Sequence, residues 1–155
     1  MTIRPELLAG LDERDAAEVL ALGVPVQLAA GETLFRLGDE AASLYVIQSG
    51  RIAVAMPMQI AGREENVRVD EYGPGETVGL STLTPPHRFT LTATAPVASE
   101  LLSLPRHRLQ EHLESRPAVG CAVWRNITAL VGERLQVFQA MWLREMQHIV
   151  NSANA

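Results

Sequence analysis

Few folds can accommodate the residue pattern between Val24 and Leu104. Short runs rich in alternating apolar residues, VPVQL (24–28), ETLFR (32–36), SLYVIQ (43–48), RIAVAM (51–56), VRVDEY (67–72), FTLTATA (89–95) and VASELLSL (97–104), are divided by turn residues. Gly38-Asp39, Ser49-Gly50 and Pro96 mark tight breaks, and Ala61-Gly62 to Asn66 reads as a looser polar excursion. Strands this short protect their edges by wrapping round one another, which predicts a sandwich or jelly-roll barrel. Ahead of them, Asp12 followed by ERDAAEVLAL reads as an N-capped helix that ends at Gly23. Behind them the period changes to 3.6. Pro105 opens a short helix, RHRLQEHLE, and Ser115 is placed to cap a long one from about Ala118 to about Val150. The expected class is mainly β with flanking α: a double-stranded β-helix (jelly-roll) barrel, a short N-terminal helix and a long C-terminal helix. With 155 residues, a single domain is expected over 1–155, divided into a helical segment 1–23, a barrel 24–104 and C-terminal helices 105–150.

The long helix carries more apolar surface than one partner needs. Trp124, Val131, Leu135, Phe138, Trp142 and Met146 form one stripe at helical spacing. Beside it, Val123, Ile127, Leu130, Val137 and Met141 form a second, with Arg134 as its single charged interruption. One stripe covers the barrel, so the other predicts the same helix of a two-fold-related copy. That assigns the dimer interface to Val123, Ile127, Leu130, Arg134, Val137 and Met141, and makes the long helix a dimerisation helix. The alternatives are that both stripes pack inside one chain, or that the far end is loose. Trp124 and Trp142 read as packing or dimer anchors, and Gly132 suggests a bend or a close backbone approach.

Charge and cysteine usage narrow the partners. A net charge of −5, with all positive charge on scattered arginines, opposes a phosphate-tracking surface, so DNA contact by this chain alone is not expected. The start, MTIRPELLAG, lacks the features of a secretory signal, and no apolar run is long enough to span a bilayer; a cytoplasmic location without membrane insertion is expected. Cys121 is the sole cysteine and reads as a small buried hydrophobe. His87, His107, His112 and His148 have no metal-ligand spacing, and no nucleophile with an ordered base is found, so neither a metal, a cofactor nor an enzymatic role is expected.

The rhythm breaks at residues 75–90, GETVGLSTLTPPHRFT, a run of Gly, Ser, Thr and Pro ending on Arg88. Together with GETLFRLGDEAASLYVIQSGRIAVAM, which contains Gly38-Asp39, Leu44-Tyr45-Val46-Ile47 and Ser49-Gly50, and YGPGETVG, which ends on Gly79, this stretch resembles the cyclic-nucleotide-binding domain of the Crp/Fnr regulator superfamily. The likeness runs from about Leu11 to Met146. It implies that Gly79, Leu80, Ser81, Thr82, Arg88, Phe89 and Thr90 form a phosphate-binding cassette, with Arg88 at the place of the family's phosphate-binding arginine. It also implies a departure: the family's ribose-binding glutamate is Leu80 here, and Phe89 stands where a small or hydroxylated residue is usual. The resemblance therefore implies a non-enzymatic sensing or regulatory domain that binds cyclic AMP weakly or not at all. A genuine cyclic-nucleotide receptor and a ligand-free interaction module remain as alternatives. The expected ligand is a small anion or nucleotide, with a protein partner also open. Arg88 is either the anion anchor or a rim residue paired with Glu76 or Asp70. Family transcription factors continue from the long helix into a helix-turn-helix; here only NSANA follows, so an excised sensor or a single-domain protein is expected.

Overall fold

The computed structural model describes residues 4–155, so the first three residues of the N-terminal segment lie outside the described residues. A 3-10 turn at Glu6–Leu8 precedes α1 (Glu13–Leu20), which starts at Asp12, whose carboxylate accepts the Asp15 N–H at 2.8 Å. Eight strands follow: β1 (Val24–Leu28), β2 (Thr33–Phe35), β3 (Ser43–Ser49), β4 (Ile52–Ile60), β5 (Arg63–Tyr72), β6 (Thr77–Val78), β7 (Thr92–Thr94) and β8 (Ser99–Pro105). They form two four-stranded sheets of order β1-β8-β3-β6 and β2-β7-β4-β5, in which every pairing is antiparallel. Helix α2 (Arg106–Ser115) and helix α3 (Pro117–Ala153) complete the chain. The mainly β fold with flanking helices is as expected.

Side-chain alternation explains the layering. On β3, Leu44 and Val46 face the helices, where they join Leu102 and Leu104 of β8 and Val19, Leu109, Leu113, Val123 and Ile127. Ile47 and Leu101, on the opposite face, join Phe35, Ile52, Val54, Val78 and Ala93 between the two sheets. The β1-β8-β3-β6 sheet is covered on both sides, which is why SLYVI and LLSL read as almost continuous apolar runs. Leu44, Ile52, Leu101 and Leu104 are fully buried.

Several boundaries differ from expectation for physical reasons. The polar excursion after Ala61 is a two-residue turn, with Ala61 at φ 51° and Gly62 at φ 78°, and the strands run on to pair Ile60 with Arg63. Backbone pairing needs no burial, so the polar residues Arg63–Asn66 extend β5 instead of forming a loop. Ser115 does not cap α3; its hydroxyl donates to the His112 carbonyl, and α3 instead begins with Pro117 in its first turn. Among the described residues no backbone approaches Gly132, where an added Cβ would meet nothing within 4 Å. Cys121 is exposed, not buried.

The assignment of the helix stripes is corrected in the same way. Val123, Ile127 and Leu130 are buried against their own chain and so are not available to a second copy. The exposed apolar residues of α3 are instead Trp124, Val131, Leu135, Val137, Met141, Trp142, Leu143, Met146, Ile149 and Val150. From Leu135 onward the helix is apolar and exposed on more than one side, with only Phe138 partly covered.

Candidate functional site

Gly79 sets the site. At φ 84° it turns the chain out of β6 into a 3-10 turn, Leu80–Leu83, closed by the Thr82 N–H on the Gly79 carbonyl at 3.1 Å. An added Cβ at Gly79 would sit 3.2 Å from the Phe89 ring. The loop then folds back. His87 donates its N–H to the Thr84 carbonyl at 2.9 Å, and its ring Nδ1 lies 3.0 Å from the Thr82 carbonyl. Residues 87–89 pair through their backbone with Gly38, Asp39 and Ala41, so successive side chains alternate.

That alternation sends Phe89 in and Arg88 out. The Phe89 ring stacks on Phe35 with centroids 3.6 Å apart and planes 9° from parallel. Arg88 is exposed, and its Nη1 donates to the Gly38 carbonyl at 2.9 Å. It forms no ion pair with Glu76 or Asp70 and does not line the cavity. Thr82 is fully buried and likewise outside it. Arg88 and Thr82 are therefore corrected as cavity residues, whereas Gly79, Leu80, Ser81, Phe89 and Thr90 are brought together there.

The cavity, about 240 Å³, lies between the sheets and α3. Its wall on the sheet side includes Phe35, Val54, Tyr72, Val78 and Leu91, and α3 contributes Val131, Arg134 and Phe138. Exposed Thr84, Thr90 and Val131 mark its mouth. Arg134 is the one charged residue among the described lining residues. Its guanidinium lies 4.5 Å above the Tyr72 ring, Nη2 donates to the Thr77 carbonyl, and the same nitrogen is 3.6 Å from Glu6 Oε1. Glu6 Oε1 also accepts the Thr77 N–H at 2.9 Å. Arg134 and Glu6 thus bracket Thr77 and tie α3 and the N-terminal turn to β6.

Burial pushes the Tyr72 phenol up to about 12, assisted by Asp70 and opposed by Arg134, so it stays neutral across the physiological range. The Glu6 carboxyl is raised above its ordinary 4.5, first by burial and also by Glu76 and Glu133, against the lowering by the Thr77 N–H and Arg134. A raised carboxyl is harder to ionise in the fold than in the unfolded chain. Its stabilising contribution is present below the unfolded pKa and is lost as pH rises through the folded one. Glu6→Gln is therefore expected to melt about 1–3 °C above the parent at pH 7, the difference vanishing below pH 4.5 in paired thermal melts. A variant less stable than the parent at pH 7 would show that the Arg134 ion pair outweighs burial.

Sequence reasoning missed Glu6 and Tyr72 and gave Arg134 to the dimer. The signal for Arg134 was present, since a lone charge in an apolar stripe needs a partner.

Residues 25–116 match the cyclic nucleotide-binding domain family. The chain belongs to that family. The cyclic nucleotide-binding domain is similar to the N-terminal domain of a transcriptional regulator from Streptomyces coelicolor, at 33% identity over 88% of this chain and 94% of that one, with a TM-score of 0.71. Catabolite Activator Protein of Thermus thermophilus is 25% identical over 92% of this chain and 63% of its own, with a TM-score of 0.75. Glutaminase 2 of Bradyrhizobium diazoefficiens is 28% identical over 130 residues, which are 83% of this chain. The domain spans only 6–19% of the length of the curated relatives it matches. The Crp/Fnr-type resemblance is thus confirmed. No described helix is long and apolar enough to cross a membrane, and no group of three or more His, Cys, Asp or Glu among the described residues could hold a metal ion.

Proposed function

We propose that this domain is a non-enzymatic sensing or regulatory module whose phosphate cassette binds cyclic AMP weakly or not at all. The observation that carries this is the Phe89 ring, stacked on Phe35 beneath Gly79 inside the cavity, while Arg88 faces Gly38 on the exposed rim. Neither a guanidinium from the cassette nor a carboxylate reaches the cavity, because Leu80 is buried there in place of an acid. A cyclic phosphate and its ribose hydroxyl would be desolvated without the partners that the family supplies. One unpaired polar group weakens binding by about one to two decades.

A second copy is the partner that the exposed length of α3 supports, with the contact shifted from the buried Val123, Ile127 and Leu130 to Leu135, Trp142 and their neighbours. The similarity to a transcriptional regulator domain and to a catabolite activator favours a signal-transducing role. An occupant of the cavity transmits only by preferring one arrangement of α3. Arg134, which belongs to α3 and touches the cavity, is the residue through which that preference acts.

Calorimetric titration tests the reading. Cyclic AMP is expected to bind the parent no tighter than about millimolar, and Leu80→Glu with Phe89→Ala is expected to tighten it by about ten- to a hundredfold. Micromolar binding by the parent would restore the receptor alternative.

A further inference from the structure

Arg134 looks at first like a new anchor for an anion, but the charges around it argue otherwise. Glu6 stands 3.6 Å away and neutralises it. A second hollow shares Arg134 and Tyr72 with the first and is lined also by Asp70, Glu71, Glu76 and Glu133 as well as Glu6. Of these, Glu71 has its own cations in Arg51 at 3.3 Å and Arg68 at 2.8 Å. Asp70, Glu76 and Glu133 form no ion pair among the described residues. The field at Arg134 is therefore negative on balance, and a bound carboxylate or phosphate would meet more repulsion than attraction.

The guanidinium nevertheless retains donors. Nη2 makes both of its polar protein contacts, to Thr77 and Glu6, and the remaining N–H groups on Nε and Nη1 have no protein partner among the described residues. Apart from Tyr72 and the half-buried Ser81, the rest of the interior wall is aromatic and aliphatic: Phe35, Val54, Leu80, Phe89, Leu91 and Phe138. At about 240 Å³ the space is below the range of roughly 300–1,000 Å³ in which drug-sized ligands are buried.

We propose that the cavity receives a small uncharged apolar molecule carrying one hydrogen-bond acceptor, a ketone, ester or lactone, which Arg134 engages without a second charge. Apolar contact supplies the affinity, and the carbonyl fixes the orientation against α3. The inference rests on the reading of this domain as a sensor, but not on how well its cassette handles cyclic AMP.

The test is a titration of the full chain followed through the amide resonances of Gly79, Leu80 and Ser81. The probes are acetophenone, ethylbenzene as the same ring without an acceptor, phenylacetate as the same ring with a negative charge, and cyclic AMP. Acetophenone is expected to bind about five- to tenfold more tightly than either ethylbenzene or phenylacetate. In Glu6→Gln, which removes the charge nearest Arg134 but leaves Asp70, Glu76 and Glu133, phenylacetate is expected to gain on ethylbenzene. In the double variant Glu6→Gln with Arg134→Met, which leaves no carboxylate stranded, acetophenone and ethylbenzene are expected to bind alike; loss of both to the same degree would indicate a structural role only and overturn the assignment to Arg134. Parent binding of phenylacetate equal to acetophenone overturns the choice of an uncharged ligand, and equal binding of ethylbenzene overturns the acceptor. If no probe shifts these amides, the cavity is not a site for this class and the inference falls, while the cassette reading stands. Tight cyclic AMP binding would sink the cassette reading instead.

Discussion

Gly50→Ala is expected to remove about 3–5 kcal/mol of stability, a large part of what a domain of this size possesses. Gly50 sits at φ 84° between β3 and β4, and a Cβ there would lie 2.6 Å from the Ala98 carbonyl oxygen, 2.7 Å from Ser99 Cα and closer still to Ser99 Oγ. The left-handed backbone accounts for about 1–2 kcal/mol of the loss. The remainder comes from Ser99, which is 3% exposed and staples the turn by accepting the Arg51 N–H at 3.0 Å and donating to the Val97 carbonyl at 2.8 Å. Moving it aside breaks those bonds in a buried site. A thermal midpoint about 10 °C or more below the parent is the expected reading. Gly62→Ala is the control, since its φ is 78° but its Cβ would meet nothing within 4 Å. If the two variants melt together, the crowding at Ser99 is relieved at no penalty and only the backbone term is real.

The second large effect concerns assembly. Leu135 and Trp142 are 56% and 63% exposed, two turns apart on the unpartnered part of α3. In the proposed dimer both become buried, and glutamate at each would place two desolvated charges from each protomer at the contact. Leu135→Glu with Trp142→Glu is expected to weaken self-association at least about a hundredfold. Light scattering would read it as a fall from twice the chain mass to 16.9 kDa, with the variant's thermal midpoint no longer rising with protein concentration while the chain still folds, because neither residue belongs to its own core. A parent already at 16.9 kDa at micromolar concentration ends the dimer proposal.

The strands and helices were legible because each writes a period into the sequence: two for SLYVI and SELLSL, 3.6 for the segment after Pro105. The cassette turn was legible from Gly79. What periodicity does not carry is phase relative to the rest of the molecule. Both stripes of α3 are apolar apart from Arg134, and nothing in their spacing says that Val123, Ile127 and Leu130 turn inward while Trp124 and Leu135 turn out. The deciding information is the partner of Arg134, and that partner, Glu6, bonds to Thr77 from 71 positions away. Arg88 misled for a related reason. Its residue type suits an anion, but the backbone pairing of residues 87–89 with 38–41 fixes which side it faces.

Arg134 also stands at a mechanically telling point along α3. It pins the helix to β6, and 19 residues continue beyond it to Ala153, a rod of about 28 Å at 1.5 Å per residue. A pivot of about five degrees at that pin would swing the far tip by roughly 2.5 Å over such a length. With Val119, Val123, Ile127 and Leu130 held in the core, a sub-ångström adjustment beside Tyr72 that turned the exposed half of α3 by that angle would become a displacement the size of a side chain at its tip.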